Sequence, residues 1–223
     1  MSRLANRILQ FDRATLLVLL AGVLLCSASL GRAATVTNSI TVKTNYYFVY
    51  GSTPATLHQS IEQGRPWRSV AAVDAQTLWS VRYQFTYDQV DGRISPTSFG
   101  LSTKINVTLP FWSMPKTVDT DLRERWLEYL RGLYTHEQGH IDFARQATTE
   151  LAQEFAAVRD FASVQELRQA LHTIHTNVLQ RVVLQEKLYD GTTRHGATQG
   201  AVLRLGRGPK PAGGGTGTAA PAQ

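Results

Sequence analysis

The pattern His-Glu-Gln-Gly-His at positions 136–140 is the part of this sequence best suited to chemistry. Residues four apart lie on one face of a helix, so the imidazoles of His136 and His140 can bind the same ion. A zinc ion held in this way lowers the pKa of a bound water, and the carboxylate of the adjacent Glu137 can accept the proton. The pattern therefore predicts a Zn2+ site with Glu137 as general base.

A catalytic zinc usually takes a third protein ligand, which is harder to find. The longer pattern H-E-x-x-H-x-x-G-x-x-H is absent, because Phe143 and Gln146 occupy the positions of its glycine and third histidine. Glu186, near the end of a second predicted helix, is one candidate. His172 and His175 lie three apart on that helix, a spacing more typical of packing or surface positions.

The polar segment 189–196 supplies two further candidates, Asp190 and His195. His195 is followed by Gly196, which permits close approach of the backbone. An ordinary helix-ending turn would also explain this composition. From the residues alone, the third ligand stays open between Glu186, Asp190 and His195.

Two long helices must position these groups. Apolar residues recur on one stripe from about residue 121 to 158, which predicts the helix that carries the motif. Asp121 and Glu124 resemble a capping box at its start, and its length leads us to expect a kink or break. A second helix is predicted from Val164 to Leu188, preceded by a capping-box pair, Ser163 and Glu166.

The first half of the chain has β character. Alternating or β-rich patterns predict strands at 36–44, 45–50, 77–87 and 103–109. A short helix is predicted over 55–63, Asp91-Gly92 is a hairpin turn signal, and Pro110 is expected to end the last strand. Strands followed by helices indicate an α+β fold: an antiparallel or mixed sheet, then a long active-site helix and a C-terminal helix.

Both ends differ in composition from the middle. Residues 1–34 resemble a signal peptide, with three arginines in the first 13 positions, an apolar run at 14–25 and small residues after it. The only cysteine, Cys26, lies in this segment, so no disulfide or thiolate metal site is expected after cleavage. Residues 206–223 form a Gly/Pro/Ala-rich stretch predicted to be disordered. The predicted domain is therefore 35–205.

The high isoelectric point, near 9.7, comes largely from these ends. Of the formal net charge of +6, the first 33 residues carry +3 (four arginines against one aspartate) and residues 206–223 carry +2. The middle keeps only +1. This distribution argues against a nucleic-acid partner, which would require a basic domain surface.

The block Tyr-Asp-Gly-Thr-Thr-Arg-His-Gly-Ala-Thr-Gln-Gly at 189–200, taken with HEQGHIDFA, resembles a bacterial family of predicted secreted zinc-dependent proteases, long catalogued as a domain of unknown function. Three shorter motifs of that family also match: Y-x-V-x-G at 47–51, T-x-W at 77–79 and P-x-W at 110–112. The likeness covers nearly all of residues 40–200. Many members carry a cysteine between the last two motifs, and this chain has none there.

The resemblance implies His136, His140 and His195 as the zinc ligands, with Asp190 the second choice for the third position. Glu137 would be the general base. Tyr189 would either donate to an oxyanion or pack at the helix end. The strand 103–109 is expected to be an edge that pairs with an extended peptide substrate.

These features together predict an exported zinc metallopeptidase with a zincin-like fold. We expect it in the periplasm or secreted, acting on a protein or peptide substrate, without a stable membrane anchor after signal cleavage. Two alternatives fit the same residues. One is a non-catalytic envelope binding module stabilised by zinc, and the other is a zinc amidase acting on cell-wall peptides.

Overall fold

The computed structural model describes residues 34–67 and 73–204. The predicted signal peptide up to residue 33 and the predicted tail 206–223 lie outside the described residues. Three strands form a mixed sheet: β1 (Thr35–Val49), β2 (Gln76–Val90) and β3 (Arg93–Trp112). Their order is β1-β3-β2, with β1 parallel and β2 antiparallel to β3. A mixed sheet followed by helices confirms the predicted α+β class.

The connections follow local sequence signals. Asp91 and Gly92 both adopt positive φ angles, 50° and 75°, in the tight turn between β2 and β3. This geometry is that of a two-residue hairpin and confirms the prediction. Because β1 and β3 are parallel, the chain must cross over between them. It does so through the short helix α1 (Pro54–Gly64) and through β2.

Two expectations about β3 were wrong. The strand does not end at Pro110 but continues to Trp112. Pairing with β2 stops at Thr108, so among the described residues no strand covers that side of β3 beyond this point. A proline, which lacks an N–H, is therefore tolerated there. The stretch 103–109 is also not an edge, because it pairs with β1 on one side and β2 on the other. The edge strands are β1 and β2, and β2 is the one whose start lies near His136 and His140.

The helix that carries the motif is α2 (Thr120–Ala156), an uninterrupted helix of 37 residues. The expected break is therefore absent. Its N-cap is Asp119, two residues earlier than predicted, whose side chain accepts from the Asp121 amide at 3.1 Å. Buried residues recur from Leu122 to Phe155, so the sheet and the last helix cover α2 along its whole length and stabilise it as one element.

The last helix, α3 (Val164–Thr193), packs beside α2. The Ser163 hydroxyl accepts from the Glu166 amide at 3.2 Å, as predicted. One hydrophobic cluster joins the first half of α2 to the sheet around Val107, and a second joins its C-terminal half to α3 around Phe155. Among residues 34–67 and 73–204, no helix is long and apolar enough to cross a membrane.

Candidate metal centre

The two motif histidines lie one turn apart on the buried face of α2. Their Nε2 atoms are 3.4 Å apart, and His136 is only 4% exposed. Gly139 lies between them in sequence, and a Cβ at this position would overlap the Tyr189 ring. The glycine of His-Glu-Gln-Gly-His is therefore needed for α3 to approach α2 closely.

Asp190, from the last turn of α3, completes the group. Its Oδ1 lies 3.2 Å from His136 Nε2 and 3.0 Å from His140 Nε2. The ligand atoms of these three residues all lie within 4.8 Å of one another, and the group could hold a metal ion. Asp190 was the second choice for the third ligand, and it is the candidate that the structure brings against both motif histidines.

His195 lies at the rim of this group. Its Nδ1 is 3.8 Å from the same Asp190 oxygen, and its side chain is 47% exposed. Arg194, His195 and Gly196 adopt positive φ angles of 50°, 51° and 84° in succession, which turns the chain back toward α2. A Cβ on Gly196 would crowd His136. The tight turn thus brings the backbone at Gly196 close to His136 and leaves the His195 ring half-exposed at the edge of the cavity.

The outer nitrogens of both histidines face acceptors. His140 Nδ1 lies 3.1 Å from Glu186 Oε1, and the same oxygen accepts from Trp79 Nε1 at 2.8 Å. His136 Nδ1 lies 3.1 Å from Gln199 Oε1. When Nδ1 of a neutral imidazole donates outward, its Nε2 presents a lone pair inward. Glu186, a candidate ligand in the sequence, therefore occupies the orienting position behind His140.

Glu137 is buried beside the group, at 3% exposure. Thr77 Oγ1 of β2 donates to Glu137 Oε2 at 2.6 Å. Burial raises the pKa of Glu137, while the Thr77 hydrogen bond and the nearby histidines oppose this effect. A carboxylate with a raised pKa beside a cation site is suited to accept and return a proton.

Asp190 and His140 shift each other's pKa in opposite directions. Burial alone would raise the pKa of Asp190, but hydrogen bonds from His136 and His140 outweigh it and lower that pKa. For His140, burial acts to lower the pKa, whereas hydrogen bonds to Asp190 and Glu186 raise it to about 10. In the absence of a metal, a proton on His140 thus balances the carboxylate charge.

Tyr189 has a packing role. Its ring stacks on the His136 imidazole, with centroids 5.0 Å apart and an interplanar angle of 8°. Its hydroxyl donates to the His136 carbonyl at 3.1 Å and accepts from Gln199 Nε2 at 3.0 Å. Of the two roles expected from sequence, these contacts support packing at the helix end. His175 also packs: its ring lies against Tyr83 and its Nε2 donates to a β2 carbonyl.

A cavity of about 240 Å³ opens onto the centre. Its walls include residues 73–77, which lead into β2, together with Glu137 and the three residues of the group. Lys187 and His195 are also in the lining. The roles of Thr77 and Gln199 were not predicted from sequence. Both stand in motifs of the resembling family, but a motif position does not reveal a contact 60 or more residues away.

Comparison with known proteins assigns a family. Residues 44–196 match the model described as bacterial protein of unknown function (DUF922), and the chain belongs to this family. No curated protein and no solved structure matches the chain. The family description names no activity, so the chemistry of the centre is the basis for a functional proposal.

Proposed function

We propose that this protein is an exported zinc-dependent metallopeptidase with a zincin-like arrangement of sheet and active-site helix. The observation that carries the proposal is the convergence of two imidazole Nε2 atoms and one carboxylate oxygen beside a buried glutamate. The three ligand atoms are 3.0, 3.2 and 3.4 Å apart. Donors about 2.0–2.2 Å from a tetrahedral zinc lie roughly 3.3–3.6 Å from each other, close to this spacing.

The chemistry of the donor set also fits zinc. Both outer nitrogens face acceptors, so the inner faces of His136, His140 and Asp190 are all electron-pair donors directed at one point. Such a set repels itself unless a cation or a proton lies between its members. Two imidazoles and one carboxylate are typical ligands of a catalytic zinc, and no thiolate is required.

Zinc bound there would supply a Lewis acid that polarises a substrate carbonyl and lowers the pKa of water. The residues of the chain supply the remaining functions. Glu137 accepts the proton from the attacking water and delivers it to the leaving amine. Thr77 holds the Glu137 carboxylate through a hydrogen bond of 2.6 Å. Asp190 and the two histidines would hold the ion.

The edge of β2 is a suitable surface for an extended peptide. In the described part of the chain, β2 pairs only with β3, and its first residues, 76 and 77, line the cavity. His175 Nε2 donates to the Val81 carbonyl at 3.0 Å, so that carbonyl is already taken and the part of the edge before it is the part available to a peptide. A peptide added as a strand at residues 76–80 would therefore pass the centre. This supports a protein or peptide substrate.

The test compares wild type with Glu137→Gln. Both proteins should contain one zinc per chain, and the variant should cleave casein about 10²–10⁴-fold more slowly, the range expected for loss of a general base. The matched control is Glu154→Gln, an exposed glutamate on the same helix, which should retain wild-type activity. Equal cleavage by wild type and Glu137→Gln would refute the assigned mechanism.

A zinc-stabilised, non-catalytic module is the second candidate, because His195 lies at the rim of the centre with its Nδ1 3.8 Å from Asp190 Oδ1. An inward movement of its half-exposed ring would be needed to close the centre as a fourth ligand. A closed site would bind zinc, melt on chelation and cleave neither casein nor purified peptidoglycan. Cleavage of peptidoglycan alone would instead identify an amidase acting on cell-wall peptides.

A further inference from the structure

The T-x-W motif of β2 contacts the centre twice. Thr77 and Trp79 are two residues apart, so their side chains lie on the same face of the strand, toward the helices. Leu78 between them points to the opposite face and is 59% exposed. The proposed metal site does not require this motif. Even so, Thr77 contacts Glu137 and Trp79 contacts Glu186.

Trp79 acts through Glu186. The Glu186 side chain is only 15% exposed, and its Oε1 accepts from Trp79 Nε1 at 2.8 Å and from His140 Nδ1 at 3.1 Å. A buried carboxylate needs such donors to keep its charge and its orientation. The indole therefore fixes the oxygen that in turn fixes the ring of His140. This chain of contacts crosses from β2 through α3 to α2.

Thr77 acts on Glu137 directly. Its hydroxyl donates to one carboxylate oxygen, Oε2, at 2.6 Å. A short hydrogen bond of this kind limits rotation of the carboxylate about its last torsion. This hydrogen bond is made to Glu137 and not to the histidines, so Thr77 is expected to affect the orientation of the base and not metal binding.

We propose that Thr77 and Trp79 are positioning residues with separate effects: Trp79, through Glu186, sets metal affinity, and Thr77 sets the orientation of the general base. This inference rests on the proposed function. The two effects are separable because the two side chains contact different acidic residues. A role in packing alone would instead alter stability, metal affinity and turnover together.

Measurements of zinc affinity test the role of Trp79 and need no substrate. Competition with a chelator should show that Glu186→Gln binds zinc about 10–100-fold more weakly, as for other groups that orient metal-bound histidines. Trp79→Phe keeps an aromatic ring without the N–H donor and should lose about tenfold. The double variant should lose no more than Glu186→Gln alone, because both substitutions break one chain of contacts. Leu78→Ala, on the opposite face of the strand, is the control and should bind like wild type.

Measurements of turnover and a crystal structure test the role of Thr77. Thr77→Val should bind zinc within about twofold of wild type, with kcat reduced about 10–100-fold and KM unchanged, since the base is misoriented but present. In crystals of zinc-loaded Thr77→Val, the Glu137 carboxylate should have rotated from its wild-type position.

Three outcomes would overturn the inference. They are wild-type zinc affinity in either Trp79→Phe or Glu186→Gln, additive losses in the double variant, or an unmoved Glu137 carboxylate in Thr77→Val. If the zinc-loaded wild type cleaves no substrate, the proposed function fails, while the affinities and the crystal structure still decide the positioning roles.

Discussion

Replacing Asp190 with asparagine is the sharpest test of the metal centre, because it separates the two candidates for the third ligand. The substitution keeps side-chain size but removes the charge that lies 3.0 Å and 3.2 Å from the two Nε2 atoms. Structural zinc sites with four ligands bind with about 10–16 kcal/mol, or roughly 2.5–4 kcal/mol for each ligand. Each 1.4 kcal/mol is a factor of ten. The amide oxygen is a weaker ligand but not an absent one, so we expect a loss of about 10²-fold, the lower end of this range.

Proton competition makes the expected loss depend on pH. Asp190 is one of the groups that raise the pKa of His140 to about 10 in the metal-free protein. Zinc must displace this proton from wild type at neutral pH, whereas Asp190→Asn holds it less tightly. The affinity difference between wild type and variant should therefore be larger at pH 9 than at pH 7. Chelator competition at both pH values measures it.

His195→Ala provides the comparison. If Asp190 is the third ligand, this variant should bind zinc within about threefold of wild type at pH 9, since its half-exposed ring lies outside the tight group. The reverse pattern, with Asp190→Asn close to wild type and His195→Ala about 10²-fold weaker, would refute the assignment drawn from the geometry and restore His195 as the ligand.

Three further substitutions or conditions test the surroundings of the centre. Gly139→Ala forces a Cβ into the Tyr189 ring, so it should destabilise the fold by about 1–3 kcal/mol in urea unfolding and weaken zinc binding as α3 moves away. Leu151→Ala, fully buried in the second hydrophobic cluster, should cost about 2–5 kcal/mol while the folded variant keeps wild-type zinc affinity. The folded-state pKa of His140, about 10, lies above its ordinary value of 6.5, so its stabilising contribution is complete below pH 6.5 and is lost as the pH rises toward 10. The Tm of the metal-free protein should accordingly fall over this range, and less so in Asp190→Asn.

Features of the fold that depend on neighbouring residues could be predicted from the sequence. The period of apolar residues predicted α2, the spacing of Ser163 and Glu166 indicated the start of α3, and Asp91-Gly92 predicted the hairpin. These signals work because capping, turn conformation and helix periodicity act over a few residues. The same locality explains why the spacing of His136 and His140 was sufficient to place both rings on one side of α2.

Features that depend on distant pairing could not be predicted. Pro110 was expected to end β3, but its tolerance depends on where β2 stops pairing. The choice between Asp190 and His195 depends on three successive left-handed residues, which direct one side chain inward and leave the other at the rim. Only glycine among these three adopts such a conformation readily, so Arg194 and His195 gave no local sign of it.

The separation of the centre along the chain has a consequence for biosynthesis. His140 and Asp190 are 50 residues apart, and His136 and Gln199 are 63 apart. Because a polypeptide is made from its N terminus, Glu137 and both histidines emerge from the ribosome well before the carboxylate and amide that complete their surroundings. A nascent chain therefore carries only a partial centre, and its full set of donors is assembled once the end of α3 has docked on α2. The group that could hold a metal ion is therefore complete only after Asp190 has been synthesised and α3 has packed on α2.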